Sequence, residues 1–179
     1  MAIQNNKITE AKVWIIGLRL DAEDVSPTYY TLVAGEDQQP VVVNEQLVFY
    51  SDPDLLEDAA QLAGIRRPID EKESSQPDLI CDLAEALYLI ENGDEDDSAT
   101  IVNCLNTLFD LVFATKGSIP TAYRQKLFNF ADHLTFSRSL SAAFRESNEL
   151  RSDIIDGVLW CAGWVITHAR ILHRHAAPS

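Results

Sequence analysis

The stretch VVVNEQLVFYSDPDLLEDAAQLAG, residues 41–64, decides the fold class, because its hydrophobic pattern changes from that of strands to that of a helix. VVVNEQLVFY (41–50) contains two short apolar runs split by polar residues, which predicts a tight hairpin or one bulged strand. SDPDLLEDAAQLAG (51–64) begins with two residues that can cap a helix. Pro53 fits the first helical position and Gly64 suits a left-handed stop. A strand unit therefore runs directly into a helix.

Upstream of this stretch the chain predicts more strands. KVWIIGLRL (12–20) and TYYTLVA (28–34) are rich in β-branched and bulky residues and are separated by short polar loops. No connection in this region is long enough for a parallel crossover. We therefore expect residues 1–64 to form an antiparallel meander of three or four strands plus one helix.

Downstream, IRRPIDEKESSQ (65–76) has the Pro, Ser and alternating charges of a linker. After it, apolar residues recur every three or four positions, which predicts a bundle of about five helices over residues 77–179. The helices are expected from Pro77 to Ile90, near 99–115, from Pro120, near 139–147 and near 149–173. The predicted fold class is α+β, with N-terminal strands and a C-terminal helical bundle.

The charge of the chain is acidic and unevenly distributed. The 28 Asp and Glu residues against 14 Lys and Arg give a net charge of −14. Up to Asp97 there are 22 acids and 6 bases, a net −16, whereas from Ser98 there are 6 acids and 8 bases, a net +2. Nucleic acid and an anionic membrane surface are thus excluded as expected partners, because both require clustered Lys and Arg. A basic protein surface is the partner that this distribution favours.

The most acidic segment is ENGDEDD, residues 91–97. It lies between two predicted helices, where Asn92 and Gly93 suit a helix end and the following acids suit a helix start. It does not have the spacing of an EF-hand calcium loop. We predict no metal site here. Its acids are candidate partner-binding residues: Asp94, Glu95, Asp96 and Asp97.

No arrangement of residues in the sequence indicates catalysis or a cofactor. The three cysteines, Cys81, Cys104 and Cys161, are far apart and lie among apolar neighbours, which predicts reduced core residues. The chain has no HExxH, GxSxG, P-loop or GxGxxG motif. We predict no metal ligand, no cofactor and no catalytic residue, although a site assembled from distant residues would leave no motif.

The expected location is the cytoplasm. MAIQNNKITE (1–10) lacks the basic and apolar regions of a signal peptide. VLWCAGWVI (158–166) is far shorter than the roughly 20 apolar residues that span a bilayer.

Trp160 and Trp164 share one face of the last predicted helix, about 60° from its main apolar stripe. Either this long helix is buried on several sides, or the tryptophan face contacts another chain and forms a homodimer. Both residues are therefore candidate partner-binding residues.

These features favour a non-catalytic, cytosolic protein-interaction module, such as an adaptor or an immunity-like inhibitor, whose acidic N-terminal half docks on a basic partner. One alternative is a small-molecule sensor or enzyme with a pocket between the strand unit and the bundle, lined by Trp14, Tyr29, Tyr30 and Tyr123. A second alternative is a self-assembling structural protein that uses the last helix.

Overall fold

The computed structural model describes residues 9–66, 76–93, 98–137, 139–144 and 148–174. The strands among these residues are β1 (Thr9–Glu10), β2 (Val13–Arg19), β3 (Tyr29–Ala34), β4 (Gln39–Pro40), β5 (Val42–Val43), β6 (Gln46–Tyr50), β7 (Ile65–Arg66), β8 (Leu79–Asp82) and β9 (Ala169–Leu172). The α-helices are α1 (Leu56–Leu62), α2 (Leu83–Asn92), α3 (Ser98–Ala114), α4 (Thr121–Ser137), α5 (Leu140–Ala143) and α6 (Asn148–Thr167). The predicted α+β class, with N-terminal strands and C-terminal helices, is confirmed.

Seven strands form one mixed sheet in the order β5–β6–β3–β2–β8, with β4 paired to β3 and β9 paired to β6. β3 is antiparallel to β2 and β6, and β5 is antiparallel to β6, so the N-terminal strands form the predicted antiparallel meander. β8 runs parallel to β2, and β9 runs parallel to β6. The sheet is thus antiparallel in its centre and parallel at the edges that β8 and β9 supply. A separate parallel pair, β1 with β7, completes the strands.

The second predicted helix starts later than expected. We predicted a start at Pro77, but Leu79–Asp82 is β8 and the helix α2 begins at Leu83. Asp82 sets this boundary, because its Oδ1 accepts a hydrogen bond from the Glu85 N–H at 3.0 Å and so caps α2. The apolar residues before it fit a strand or a helix equally well, and pairing with the distant β2 decides between them.

The last helix ends earlier than expected for the same reason. The prediction extended it to about residue 173, but α6 ends at Thr167 and Ala169–Leu172 is β9. The Leu47 N–H donates to the His168 carbonyl at 2.8 Å, which starts the pairing of β9 with β6. Residues 169–172 continue the helical hydrophobic pattern, but they form a strand because they pair with β6.

The predicted division of the chain into 1–64, a linker at 65–76 and 77–179 stays a prediction. Ile65–Arg66 is β7, and most of the proposed linker, 67–75, lies outside the described residues. The large sheet nevertheless contains strands from both predicted units, since β8 and β9 come from the C-terminal one.

Side chains alternate across the sheet, so that each central strand contributes to two cores. Those on one face pack against α1. Together with residues of α1 they form the α1-side core, whose buried members are Val13, Ile15, Tyr30, Leu32, Val41, Val48, Tyr50, Leu56, Ala59, Ala60 and Ile65. Those on the other face, which include Leu18, Leu47 and Phe49, pack against the helices and form the bundle-side core. In the bundle, α3 lies against α2, α4 and α6. No helix in the described ranges is long and apolar enough to cross a membrane.

The start of α1 follows the sequence signals. Asp52 Oδ1 accepts a hydrogen bond from the Asp54 N–H at 3.0 Å, and Pro53 opens a single 3₁₀ turn that leads into α1. Gly64 has a φ of +68°, the left-handed conformation predicted for it.

Candidate functional site

The predicted acidic site, Asp94–Asp97, lies outside the described residues. The residues on either side behave as predicted. Gly93 ends α2 with a φ of +75° and its N–H bonds to the Leu89 carbonyl, while α3 begins at Ser98. The assignment of these four acids to partner binding stays a prediction.

A second set of acids is gathered by the sheet itself. The register places Leu18 opposite Tyr29 and Tyr30 opposite Tyr50, so the loop after β2 and the segment after β6 emerge at the same end of the sheet. Because β8 is parallel to β2, with Asp82 beside Arg19, the start of α2 lies at that end too.

Among the residues that the structure describes, seven carboxylates lie at this end, which we call the acidic end: Asp21, Glu23, Asp24, Asp52, Asp54, Asp82 and Glu85. Their proximity has electrostatic consequences. The hydrogen bond that Arg19 donates to the Asp82 carboxylate raises the pKa of Arg19, and the charges of Glu85 and Asp24 raise it further. Burial raises the pKa of the Tyr30 phenol, and the charge of Asp52 adds to this effect.

Two arginines partly neutralise the acidic end. Arg19 forms an ion pair with Asp82, which is buried. Arg174, just beyond β9, pairs with Asp54 and reaches Asp52 with a Nε–Oδ2 distance of 2.9 Å. Seven carboxylates and these two arginines leave a net −5 among the residues named. Asp21, Glu23 and Asp24 are exposed and lie together in the loop between β2 and β3.

Within the described ranges, fewer acids follow or precede the strands at the opposite end of the sheet. Glu36 and Asp37 lie in the exposed turn after β3, Glu45 lies in the turn before β6, and Asp78 comes just before β8. Lys116 Nζ lies 3.0 Å from Glu45 Oε1, and both side chains are more than three-quarters exposed. An ion pair this exposed contributes about 0–1 kcal/mol.

Trp160 and Trp164 are half-buried on α6 and pack against the bundle-side core. Their rings stack with centroids 5.5 Å apart, and Trp164 also stacks on His168 at 4.1 Å. The Trp164 Nε1–H donates to Thr115 Oγ1 at 2.9 Å. These contacts anchor Trp164 within its own chain, and the assignment of the pair to partner binding or to a homodimer stays a prediction.

An apolar cavity of about 230 Å³, which we call the bundle cavity, lies between the sheet and the helices. From the sheet it is lined by Leu18, Leu20, Tyr29, Phe49, Ala169 and Ile171. From the helices it is lined by Leu83, Leu108, Ala162, Val165 and Ile166.

Of the four aromatic residues expected to line such a pocket, Tyr29 is among the described lining residues. The other three lie elsewhere. Tyr30 stacks on Tyr50 in the α1-side core at 5.4 Å, the Trp14 ring lies under Lys12 Nζ at 5.1 Å, and Tyr123 packs by Gly157. Alternation along β3 explains the difference between Tyr29 and Tyr30, since neighbours on a strand face opposite sides.

A second depression, about 260 Å³, lies between the sheet and α3 and has a mixed lining. Its polar residues are Gln38, Asn103, Asn106, Thr107 and Asp110. Burial raises the pKa of the Asp110 carboxyl. No second titratable side chain is among its described lining residues, so Asp110 has no acid or base partner there.

The three cysteines are buried and free, as core residues are. Cys81 Sγ lies 3.3 Å from Cys104 Sγ, between β8 and α3. The hydrogen bond with Cys81 and burial raise the pKa of Cys104 well above its ordinary value, and burial raises that of Cys161 to about 12. Such thiols stay protonated at neutral pH and are poor nucleophiles. Within the described ranges, no group of three or more His, Cys, Asp or Glu residues is placed to hold a metal ion.

Neither a family model, nor a curated protein, nor a solved structure matches this chain.

The sequence did not identify the acidic end or the exact cavity lining. The acids of the β2–β3 loop and of the α1 start were assigned locally, as a loop and a cap, and the parallel pairing of β8 and β9 leaves no short-range signal. Alternation in β2 and β3 was the one available indication of which apolar residues share the bundle side.

Proposed function

We propose that the protein is a non-catalytic, cytosolic protein-interaction module whose acidic N-terminal half docks on a basic surface of a partner protein, as an adaptor or an immunity-like inhibitor does. The observation that carries the proposal is the acidic end, where seven carboxylates face two arginines.

Basic side chains neutralise part of the acidic surface and leave the β2–β3 loop acidic. Arg174 and Lys116 come from the C-terminal half and pair with acids of the N-terminal half. Even so, Asp21, Glu23 and Asp24 remain together and exposed. Clustered exposed charges of one sign steer an oppositely charged partner and set its orientation.

The test compares two triple variants that remove the same charge. D21N/E23Q/D24N neutralises the loop of the acidic end, and the amide oxygens of the new residues can still accept the turn hydrogen bonds that Asp21 and Asp24 accept. E36Q/D37N/E45Q neutralises the opposite end of the sheet and is the matched control.

The partner is first captured from an extract of the native host with the wild-type chain at low salt, and its Kd is then measured by calorimetry. We expect the acidic-end variant to bind at least about tenfold more weakly than the control, and about 0.5 M salt to weaken wild-type binding. Equal Kd values for the two variants, or binding that salt does not change, would contradict the proposal.

A further inference from the structure

We propose that the bundle cavity is a binding site for a small, uncharged, apolar molecule of about nine non-hydrogen atoms, such as an alkylbenzene. This inference is independent of the proposed docking function, because it concerns a buried apolar cavity and not the exposed carboxylates. It can be tested on the purified chain alone.

The lining determines the ligand's polarity. Of the eleven described residues that line the cavity, ten have pure hydrocarbon side chains, and the other is Tyr29, which carries a phenol. A charged or hydroxylated ligand would lose its hydration on entry and gain few hydrogen bonds in return. The cavity therefore selects for an apolar molecule.

The volume determines the ligand's size. An apolar cavity of about 150 Å³ is large enough for benzene, which has six non-hydrogen atoms. In proportion, the 230 Å³ of the bundle cavity accommodates about nine. Two of the lining residues are alanines, Ala162 on α6 and Ala169 on β9, and their small side chains create part of this space.

The cavity has a buried floor and an accessible rim. Leu18, Phe49, Leu108 and Val165 are buried and form the floor. Ile166 is 61% exposed and lies at the rim. An apolar molecule can thus enter from the α6 side and contact core side chains.

The experiment uses two probes of equal size, n-propylbenzene and 2-phenylethanol, which differ by replacing a terminal methyl group with a hydroxyl group. Binding is followed by the methyl NMR signals of Leu18, Leu108 and Val165 and by the melting temperature. We expect n-propylbenzene to shift these signals and to raise the Tm by about 3 °C near saturation, and 2-phenylethanol to bind at least about fivefold more weakly.

Substitutions that fill the cavity provide the control. A162L should abolish the n-propylbenzene shifts, and A169L is the second variant if A162L does not fold. A143L adds the same side chain on α5, outside the bundle cavity, and should leave binding unchanged. The inference is overturned if the three methyl signals do not respond in the wild type, if A162L or A169L binds as the wild type does, or if both probes bind equally.

Discussion

One face of the sheet is covered by α1, a single helix that follows β6 after a short turn, whereas the other is covered by helices from residues 83–167. The α1-side core is small and is built almost entirely from one continuous stretch of chain. The bundle-side core draws on residues from both ends of the chain and contains the bundle cavity between its layers. The helices on both faces follow from the sequence, but the packing of residues 83–167 on the sheet depends on contacts between residues far apart in the chain.

The largest effect should come from truncating one buried leucine on each face. Leu47 on the bundle side and Leu32 on the α1 side are both 0% exposed. We expect Leu47→Ala and Leu32→Ala each to lower the free energy of unfolding by about 3 kcal/mol. Urea unfolding followed by circular dichroism measures both. If Leu32→Ala melts part of the chain and leaves the bundle folded, the two faces are not parts of one cooperative unit.

A tight contact at the centre of the sheet gives the next effect. A Cβ on Gly17 would lie 2.5 Å from Cγ of Pro27, in a ring that cannot turn away. Gly17→Ala should therefore cost about 1–3 kcal/mol of unfolding free energy. Gly163→Ala on α6 is the control, since nothing lies within 4 Å of its Cβ position, and it should stabilise by about 0.5–1 kcal/mol. Destabilisation of equal size at both glycines would refute the steric explanation.

On the bundle side, Trp164→Phe removes the hydrogen bond from Nε1–H to Thr115 Oγ1 and keeps an aromatic ring. We expect a loss of about 1 kcal/mol in unfolding free energy. In a Thr115→Val background the same substitution should cost less, because the acceptor is already absent. Identical costs in the two backgrounds would show that the hydrogen bond does not anchor the ring.

The last prediction concerns alkaline pH. Burial raises the pKa of Cys161 from its ordinary value of 9.0 to about 12, so at a pH between these values the unfolded chain loses a proton that the folded chain keeps. This thiol's contribution to stability is full below pH 9 and falls as the pH rises towards 12. Urea midpoints should therefore fall less steeply with pH for Cys161→Ala than for the wild type. Parallel slopes would argue against a buried, protonated thiol.

The sequence predicted the central strands of the sheet and the ends of several helices, and it missed the strands β8 and β9. The meander, the Pro53 helix start and the Gly64 and Gly93 stops follow from signals within a few residues of each feature. β8 and β9 do not, because LICD and ARIL fit either structure and become strands by pairing with residues far away in the chain.

The same distinction applies to the candidate sites. The charge imbalance was evident from composition, but the acidic end depends on the register of four strands that stop at one end of the sheet. A pocket between strands and helices was expected, and its lining by Tyr29 without Tyr30 depends on which way each side chain points. Composition indicated that the chain is acidic, and strand pairing determines where the acids and the cavity lie.

The central claim is that two strands from the predicted C-terminal unit (77–179), β8 and β9, complete the N-terminal sheet, so that the chain unfolds as one body. Two single-tryptophan variants test it directly: one keeps Trp14 in β2, and the other keeps Trp164 in α6, with Phe at the remaining positions. Urea unfolding followed by fluorescence should give each variant a midpoint equal to the one from its own circular dichroism. The claim is contradicted if, in either variant, the tryptophan fluorescence changes at a lower or higher urea concentration than the circular dichroism of the same variant.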